Sequence, residues 1–230
     1  MNAFKALILC VALVLMTGSA ALASTPELFL ETGATSVTVV GGAGTVTYNN
    51  TDFGGWDIQL VFGDSNSPSD VPFGIDITSL EAACDSGHAC SDLDIWLSDT
   101  GFTSSATSFT NTYSLTSDSG SASTTQYAWD DPSDAIFGTT GSDGANYIGK
   151  VGPLSAGGTG GSVTGGGPET GTPPYSLTLE DVFAGCRSNS CVFYSSDGAI
   201  SGSVPEPGAV VLFGTVLTLC ASKLRRRRAS

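Results

Sequence analysis

The stretch LDIWLS (residues 93–98) alternates apolar and polar side chains, with leucine or isoleucine at every second position. Successive side chains of a β-strand point to opposite faces of a sheet, so this pattern predicts a strand with one face in a hydrophobic core. The stretches FGIDI (73–77) and YSLTLE (175–180) show the same period of two. Three such segments favour a fold built from β-strands.

The rest of the central chain agrees with this expectation. Only SLEAA (79–83) is compatible with a turn or two of helix between the termini. Eight or nine short strands separated by Gly, Asp, Ser and Asn predict an all-β ectodomain, either an antiparallel β-sandwich or a jelly roll. The other predicted strands are residues 36–40, 44–48, 56–62, 108–116, 125–129 and 147–151.

The central part of the chain is predicted to form one domain. Residues 24–203 are long enough for a single hydrophobic core. Within them, the glycine-rich residues 156–172 predict a flexible loop inserted between strands, because glycine repeats gain little from ordering.

The N-terminal residues are typical of an export signal. Lys5 precedes an apolar stretch over residues 6–16, and Ala-Leu-Ala at 21–23 is a small-residue cleavage site. Residues 1–23 are therefore predicted to be a signal-peptide helix that is removed, leaving the β-rich secreted domain over 24–203.

The C-terminal residues follow a three-part pattern. VPEP (204–207) precedes an apolar run, and a basic cluster KLRRRR follows at 223–228. A helix over residues 208–224 would be about 25 Å long, close to the thickness of a bilayer's hydrocarbon core. The pattern predicts a single transmembrane helix with its arginines in the cytoplasm and the preceding domain outside.

This order of motif, apolar span and arginine run resembles the PEP-CTERM sorting signal of Gram-negative bacteria, which an exosortase recognises and removes. The resemblance covers residues 204–230. It implies export through the Sec translocon, transit through the inner membrane, and release to the cell surface or the extracellular space. The residues that carry it are the sorting motif Val204, Pro205, Glu206 and Pro207 and the basic stop Arg225, Arg226, Arg227 and Arg228.

Removal of the two terminal segments makes the protein strongly acidic. Of 8 Lys and Arg, only Lys150 and Arg187 lie in the secreted part, whereas of 22 Asp and Glu only Glu206 lies outside it. Two basic residues against 21 carboxylates give that part a formal charge of −19. Such a charge repels nucleic acid and anionic lipid. It favours solubility at a cell surface, and it would also favour binding of divalent cations or basic partners.

Four cysteines remain in the secreted part, in two close pairs. In an oxidising compartment these pairs favour two local disulfides, Cys84 with Cys90 and Cys186 with Cys191, although cross-links between the pairs are also possible. A zinc site formed by these thiols with His88 is the less favoured alternative, because the first spacing is wider than zinc motifs use.

Catalytic motifs are not expected. His88 is the single histidine, and the chain has no Gly-x-Ser-x-Gly elbow, so no catalytic residue is assigned. The carboxylates Asp130, Asp131 and Asp134 surround a turn at Pro132 and are candidate calcium ligands, with turn capping as the alternative. No other cofactor is expected.

Trp96 is the aromatic residue of most interest. The alternation of residues 93–98 places it on the polar face of its strand, where an exposed ring beside carboxylates would suit a sugar-binding platform. A second layer or a loop packed over the ring is the favoured alternative.

These expectations describe a non-enzymatic protein of the cell surface or matrix, associated with exopolysaccharide or biofilm, as the PEP-CTERM resemblance implies for small members rich in Ser, Thr and Gly. The alternative is a secreted β-sandwich module that binds calcium or carbohydrate.

Overall fold

The computed structural model describes residues 25–66, 74–84, 89–103, 105–117, 123–139, 146–155, 160–166, 172–184 and 193–203. The predicted signal peptide and sorting signal, with the C-terminal helix over 208–224, lie outside these residues. Within the described ranges there is no helix long and apolar enough to cross a membrane.

The described residues form twelve strands, which is the all-β class that the alternating segments predict. They are β1 (Glu27–Thr32), β2 (Thr35–Val40), β3 (Thr45–Phe53), β4 (Trp56–Ser65), β5 (Gly74–Cys84), β6 (Leu93–Phe102), β7 (Ser108–Ser117), β8 (Ser123–Asp131), β9 (Asn146–Ser155), β10 (Gly161–Gly165), β11 (Tyr175–Ala184) and β12 (Phe193–Ser203).

The strands pair antiparallel in two six-stranded sheets that pack as a β-sandwich. The first sheet has the order β2-β1-β6-β11-β8-β9, and the second has the order β10-β7-β12-β5-β4-β3. Strands β5 to β8 lie alternately in the second and first sheets, so the chain crosses repeatedly between the two layers. Pairs that are distant in sequence, such as β6 with β11, therefore form the centre of each sheet.

The core lies between the sheets and consists of the apolar side chains that the period-two pattern selects. Leu93, Ile95 and Leu97 of β6 are fully buried, as the alternation predicts. Large inward-facing residues of the first sheet are Leu28, Leu30, Leu177, Leu179 and Phe183, and those of the second sheet are Ile58, Val61, Ile75, Ile77, Phe109 and Ile200.

Residues 79–83, which are compatible in sequence with a turn or two of helix, do not form one. These residues belong to β5, which pairs with β4 on one side and β12 on the other. Five residues of helical propensity give one turn of helix, and a helix that short is not stable by itself. Sheet hydrogen bonds on both sides of β5 and the complete burial of Ala82 favour the strand.

The flexible loop predicted over residues 156–172 is wrong in its middle, where β10 pairs with β7. Glycine is needed here because the strand lies close to its neighbours: a Cβ at Gly165 would collide with the carbonyl oxygen of Ile148. The glycines that suggest a loop therefore allow an edge strand to lie against β9.

Candidate functional site

Four aromatic side chains of the first sheet form a continuous cluster on its outer face. The rings of Trp96 and Trp129 are nearly parallel, with centroids 6.0 Å apart, and the Tyr127 ring lies 5.9 Å from Trp129. Tyr147 is tilted against Trp129 at 5.9 Å. We call Trp96, Tyr127, Trp129 and Tyr147 the aromatic shelf. Tyr147 is 46% exposed and Trp129 only 6%, so the shelf has a buried centre and an accessible rim.

The strand register brings the shelf together from three strands, β6, β8 and β9. Trp96 lies opposite Phe29 of β1 on one side and opposite Glu180 of β11 on the other. Glu180 in turn lies opposite Tyr127, so it occupies the position between the two rings. The predicted placement of Trp96 on the outer face is therefore confirmed.

A loop covers the adjacent part of the same face. Residues 132–139, the β8–β9 loop, fold back over the sheet: the Phe137 amide donates to Ser98 Oγ at 3.0 Å, and Ser176 Oγ donates to the Ala135 carbonyl at 2.7 Å. Ser98 and Thr178 are fully buried although they face outward. Trp96 is half-buried beside this loop and stacks against Trp129, so its ring is neither fully exposed nor fully covered.

The three candidate calcium ligands stabilise this loop. Asp131 accepts hydrogen bonds from the amide and the hydroxyl of Ser133, at 2.8 and 2.7 Å. Asp134, at a φ of 58°, accepts from the Gly101 amide at 2.7 Å. Asp130 accepts from Asn146 at 3.4 Å. Among the described residues, no three Asp, Glu, His or Cys side chains form a group that could hold a metal ion, so the geometry gives calcium at this turn no support.

Two carboxyl groups adjoin the shelf, and burial perturbs both. The pKa of Glu180 is raised to about 7, mainly by burial and further by the charges of Asp94 and Asp181. The pKa of Asp94 is raised to about 6 by burial, Asp92 and Glu31. No described Lys or Arg forms an ion pair with either group. Lys150 of β9 lies opposite Tyr127, so the shelf is bordered by these two carboxyl groups on one side and by one exposed lysine on the other.

A third carboxyl group is enclosed between the sheets. Asp181 is fully buried, and Gln126 Nε2 donates to its Oδ1 at 2.8 Å. Burial raises the pKa of Asp181 to about 7, although the Gln126 hydrogen bond opposes the shift. The second oxygen of Asp181, Gln126 Oε1 and Asn111 Oδ1 are buried without a partner. This polar group lies in the core and contributes a pH-dependent cost to folding.

The outer face of the second sheet carries a different surface. A depression of about 460 Å³ there is lined by Asp76, Asp197, Thr112 and Ser114, among others. Asp76 lies directly opposite Asp64, and burial together with Asp197 and Asp64 raises the pKa of Asp76 to about 6. Acidic and hydroxyl groups line this depression, whereas the outer face of the first sheet carries the aromatic cluster.

The Cys84–Cys90 disulfide is confirmed. Its Cα atoms are 6.0 Å apart, and the bond closes the connection that follows β5. Both sulfurs are therefore unavailable for the alternative zinc site. Cys186, Cys191 and His88 lie outside the described residues.

Sequence reasoning found Trp96 but not its partners in the shelf. The strands over 125–129 and 147–151 were predicted, and their alternation marks Tyr127 and Trp129 as sharing a face. Their proximity to Trp96 depends on β11 lying between β6 and β8, and this sheet order has no local sequence signal.

Comparisons with known proteins leave the family open. No protein-family model and no curated protein matches the chain. Among solved structures, one of the infectious bursal disease virus Gx strain aligns with 84% of this chain at 15% sequence identity and a TM-score of 0.34. The chain covers about half of that viral chain's length, 54%.

Proposed function

We propose that the protein is exported, sorted and processed by an exosortase, and acts without catalysis at the cell surface or in the matrix in association with exopolysaccharide. The Cys84–Cys90 disulfide carries the export part of this proposal, because disulfides form and persist in oxidising compartments. The tail over 204–230 supports the sorting part by its resemblance to the PEP-CTERM signal.

The structure of the domain is compatible with a location at the cell surface or in the matrix. Its strands pack in two layers, and the disulfide closes a connection at the end of β5. The formal charge of −19 over the secreted part favours solubility and disfavours nucleic acid or anionic lipid as partners.

The sorting motif predicts a clear processing phenotype. In a strain that has an exosortase, replacing Pro205, Glu206 and Pro207 together by alanine is expected to leave the chain membrane-bound and unprocessed, because the enzyme has lost its recognition sequence. Immunoblots of membrane and medium fractions measure this. Ser203→Ala, just before the motif, is the matched control. Release of the triple variant at the wild-type rate would contradict the proposal.

The disulfide predicts a measurable contribution to stability. Removing a bridge that closes a loop of this size is expected to lower the free energy of unfolding by about 2 kcal/mol, because the unfolded chain gains conformations. Urea titration of Cys84→Ser plus Cys90→Ser, against wild type, measures the loss. Peptide mapping without reduction should recover residues 84 and 90 cross-linked. Recovery of both as free thiols from exported protein would contradict the disulfide.

A further inference from the structure

We propose that the aromatic shelf binds a polysaccharide whose sugars carry protonated amino groups. This proposal rests on the proposed association with exopolysaccharide for its choice of ligand class, and it names the site and the chemistry of that association. The ligand lies across β6, β11, β8 and β9, beside the β8–β9 loop.

The rings provide the first part of the recognition. Trp96, Tyr127 and Tyr147 are partly accessible, and each of the three rings contacts the buried Trp129. Sugars present flat C–H faces that pack on aromatic rings, and tyrosine and tryptophan combine an apolar face with a polar group. A continuous aromatic surface across several strands suits a chain of sugars better than one small molecule.

Trp129 provides an independent observation that points to a ligand. Its side chain is 6% exposed, and its indole N–H has no hydrogen-bond partner. Buried indole N–H groups usually have an acceptor, and leaving one without a partner costs free energy. The nitrogen itself is covered, so an acceptor on a bound sugar reaches it only when the surrounding rings move.

The charge of the shelf selects the class of sugar. Glu180 lies between Trp96 and Tyr127 in the register, and Asp94 lies near enough for its charge to raise the pKa of Glu180. Lys150 lies on the same face, but beyond Tyr127 and opposite it, so Glu180 and Asp94 lie on the side of the shelf away from this lysine. An ammonium group over this position pairs with Glu180 and also contacts the faces of the flanking rings, which attract cations. An anionic polymer would be repelled by these carboxylates and by the acidic domain as a whole.

Isothermal titration of the full chain tests the proposal, with the protein purified in a polyoxyethylene detergent that carries no sugar. The probes are a glucosamine hexamer, its N-acetylated counterpart and a hexuronic acid hexamer. We expect the glucosamine hexamer to bind about tenfold more tightly than the acetylated hexamer, and the uronic acid hexamer not to bind. Equal affinities for the first two, binding of the third, or no binding of any probe would overturn the proposal.

Variants locate the site. Glu180→Gln is expected to remove the preference for the free amine, while Tyr147→Ala weakens binding of both hexamers about tenfold, since Tyr147 is the most exposed ring. Asp64→Asn on the second sheet and Val40→Ala at the far edge of the first sheet are the matched controls. Unchanged affinity in both shelf variants would place binding elsewhere and overturn the assignment. Export and processing are measured separately, so a failure here leaves the sorting proposal intact.

Discussion

Replacing Trp56 by alanine is expected to lower the free energy of unfolding by about 4 kcal/mol, since large aromatic-to-alanine changes in a core leave a cavity. Trp56 is fully buried and packs edge-on against Phe183 of the opposite sheet, with ring centroids 6.5 Å apart. Its indole N–H donates to the Ser91 carbonyl at 3.0 Å, next to the disulfide at Cys90. The side chain therefore joins the two sheets and holds the segment that the disulfide closes.

Urea denaturation followed by circular dichroism measures this effect. Trp56→Phe keeps a ring and loses the hydrogen bond, so its loss should be about half as large. Trp96→Ala is the matched tryptophan control: its ring lies half-exposed on the outer face, and we expect a loss of about 1 kcal/mol. Equal losses in Trp56→Ala and Trp96→Ala would contradict the assignment of Trp56 to the core.

Replacing Asp181 by asparagine is expected to raise the free energy of unfolding by about 2 kcal/mol at alkaline pH. The pKa of Asp181 is about 7 in the folded protein and near 3.8 when the carboxyl group is solvated, because burial disfavours the charge. The folded state thus holds the proton more tightly. Stability from this group is fully present below about pH 4 and is lost as the pH rises to about 7.

Asparagine cannot ionise, so the variant does not lose stability as the pH rises. Its side-chain oxygen can still accept the hydrogen bond from Gln126. Urea titrations at several pH values between about 4 and 8 measure the difference, which should be small in acid and grow towards neutral pH. Asp52→Asn, an exposed position in β3, is the control and should change little at any pH. An Asp181→Asn variant less stable than wild type at alkaline pH would show that the protein stabilises the buried carboxylate.

The period-two pattern predicts a strand where large apolar residues alternate with polar ones. It does not identify a strand whose buried face is formed by small residues. Strand β12 was not predicted, because its inward positions include Ser196 and Gly198, yet it lies at the centre of the second sheet. Glycine at 198 leaves room for the buried Gln126 amide, which a Cβ at this position would contact. Strand β1 is not among the predicted strands, although ELFLET has leucine at two alternate positions.

In the aromatic shelf, too, one feature follows from the local sequence and the others depend on the order of strands in the sheet. The parity of residues 93–98 places Trp96 on the outer face, and this holds for any sheet in which the leucines face the core. Its contact with Trp129 depends on residues 33 positions apart in the chain, on two strands separated by β11. The Asp131 and Asp134 turn was visible in the sequence, but its role in holding the β8–β9 loop over Ser98 was not.

The sequence by itself determined the all-β class, the outward position of Trp96, the acidity of the domain and the close cysteine pair, because each depends on local composition or on a period of two. Only the tertiary structure decided the order of strands in the two sheets, the use of glycine in β10 and β12, and the assembly of the aromatic shelf beside Glu180. These features depend on contacts between distant segments, whose free energy comes from burial and cross-strand packing that no local pattern encodes.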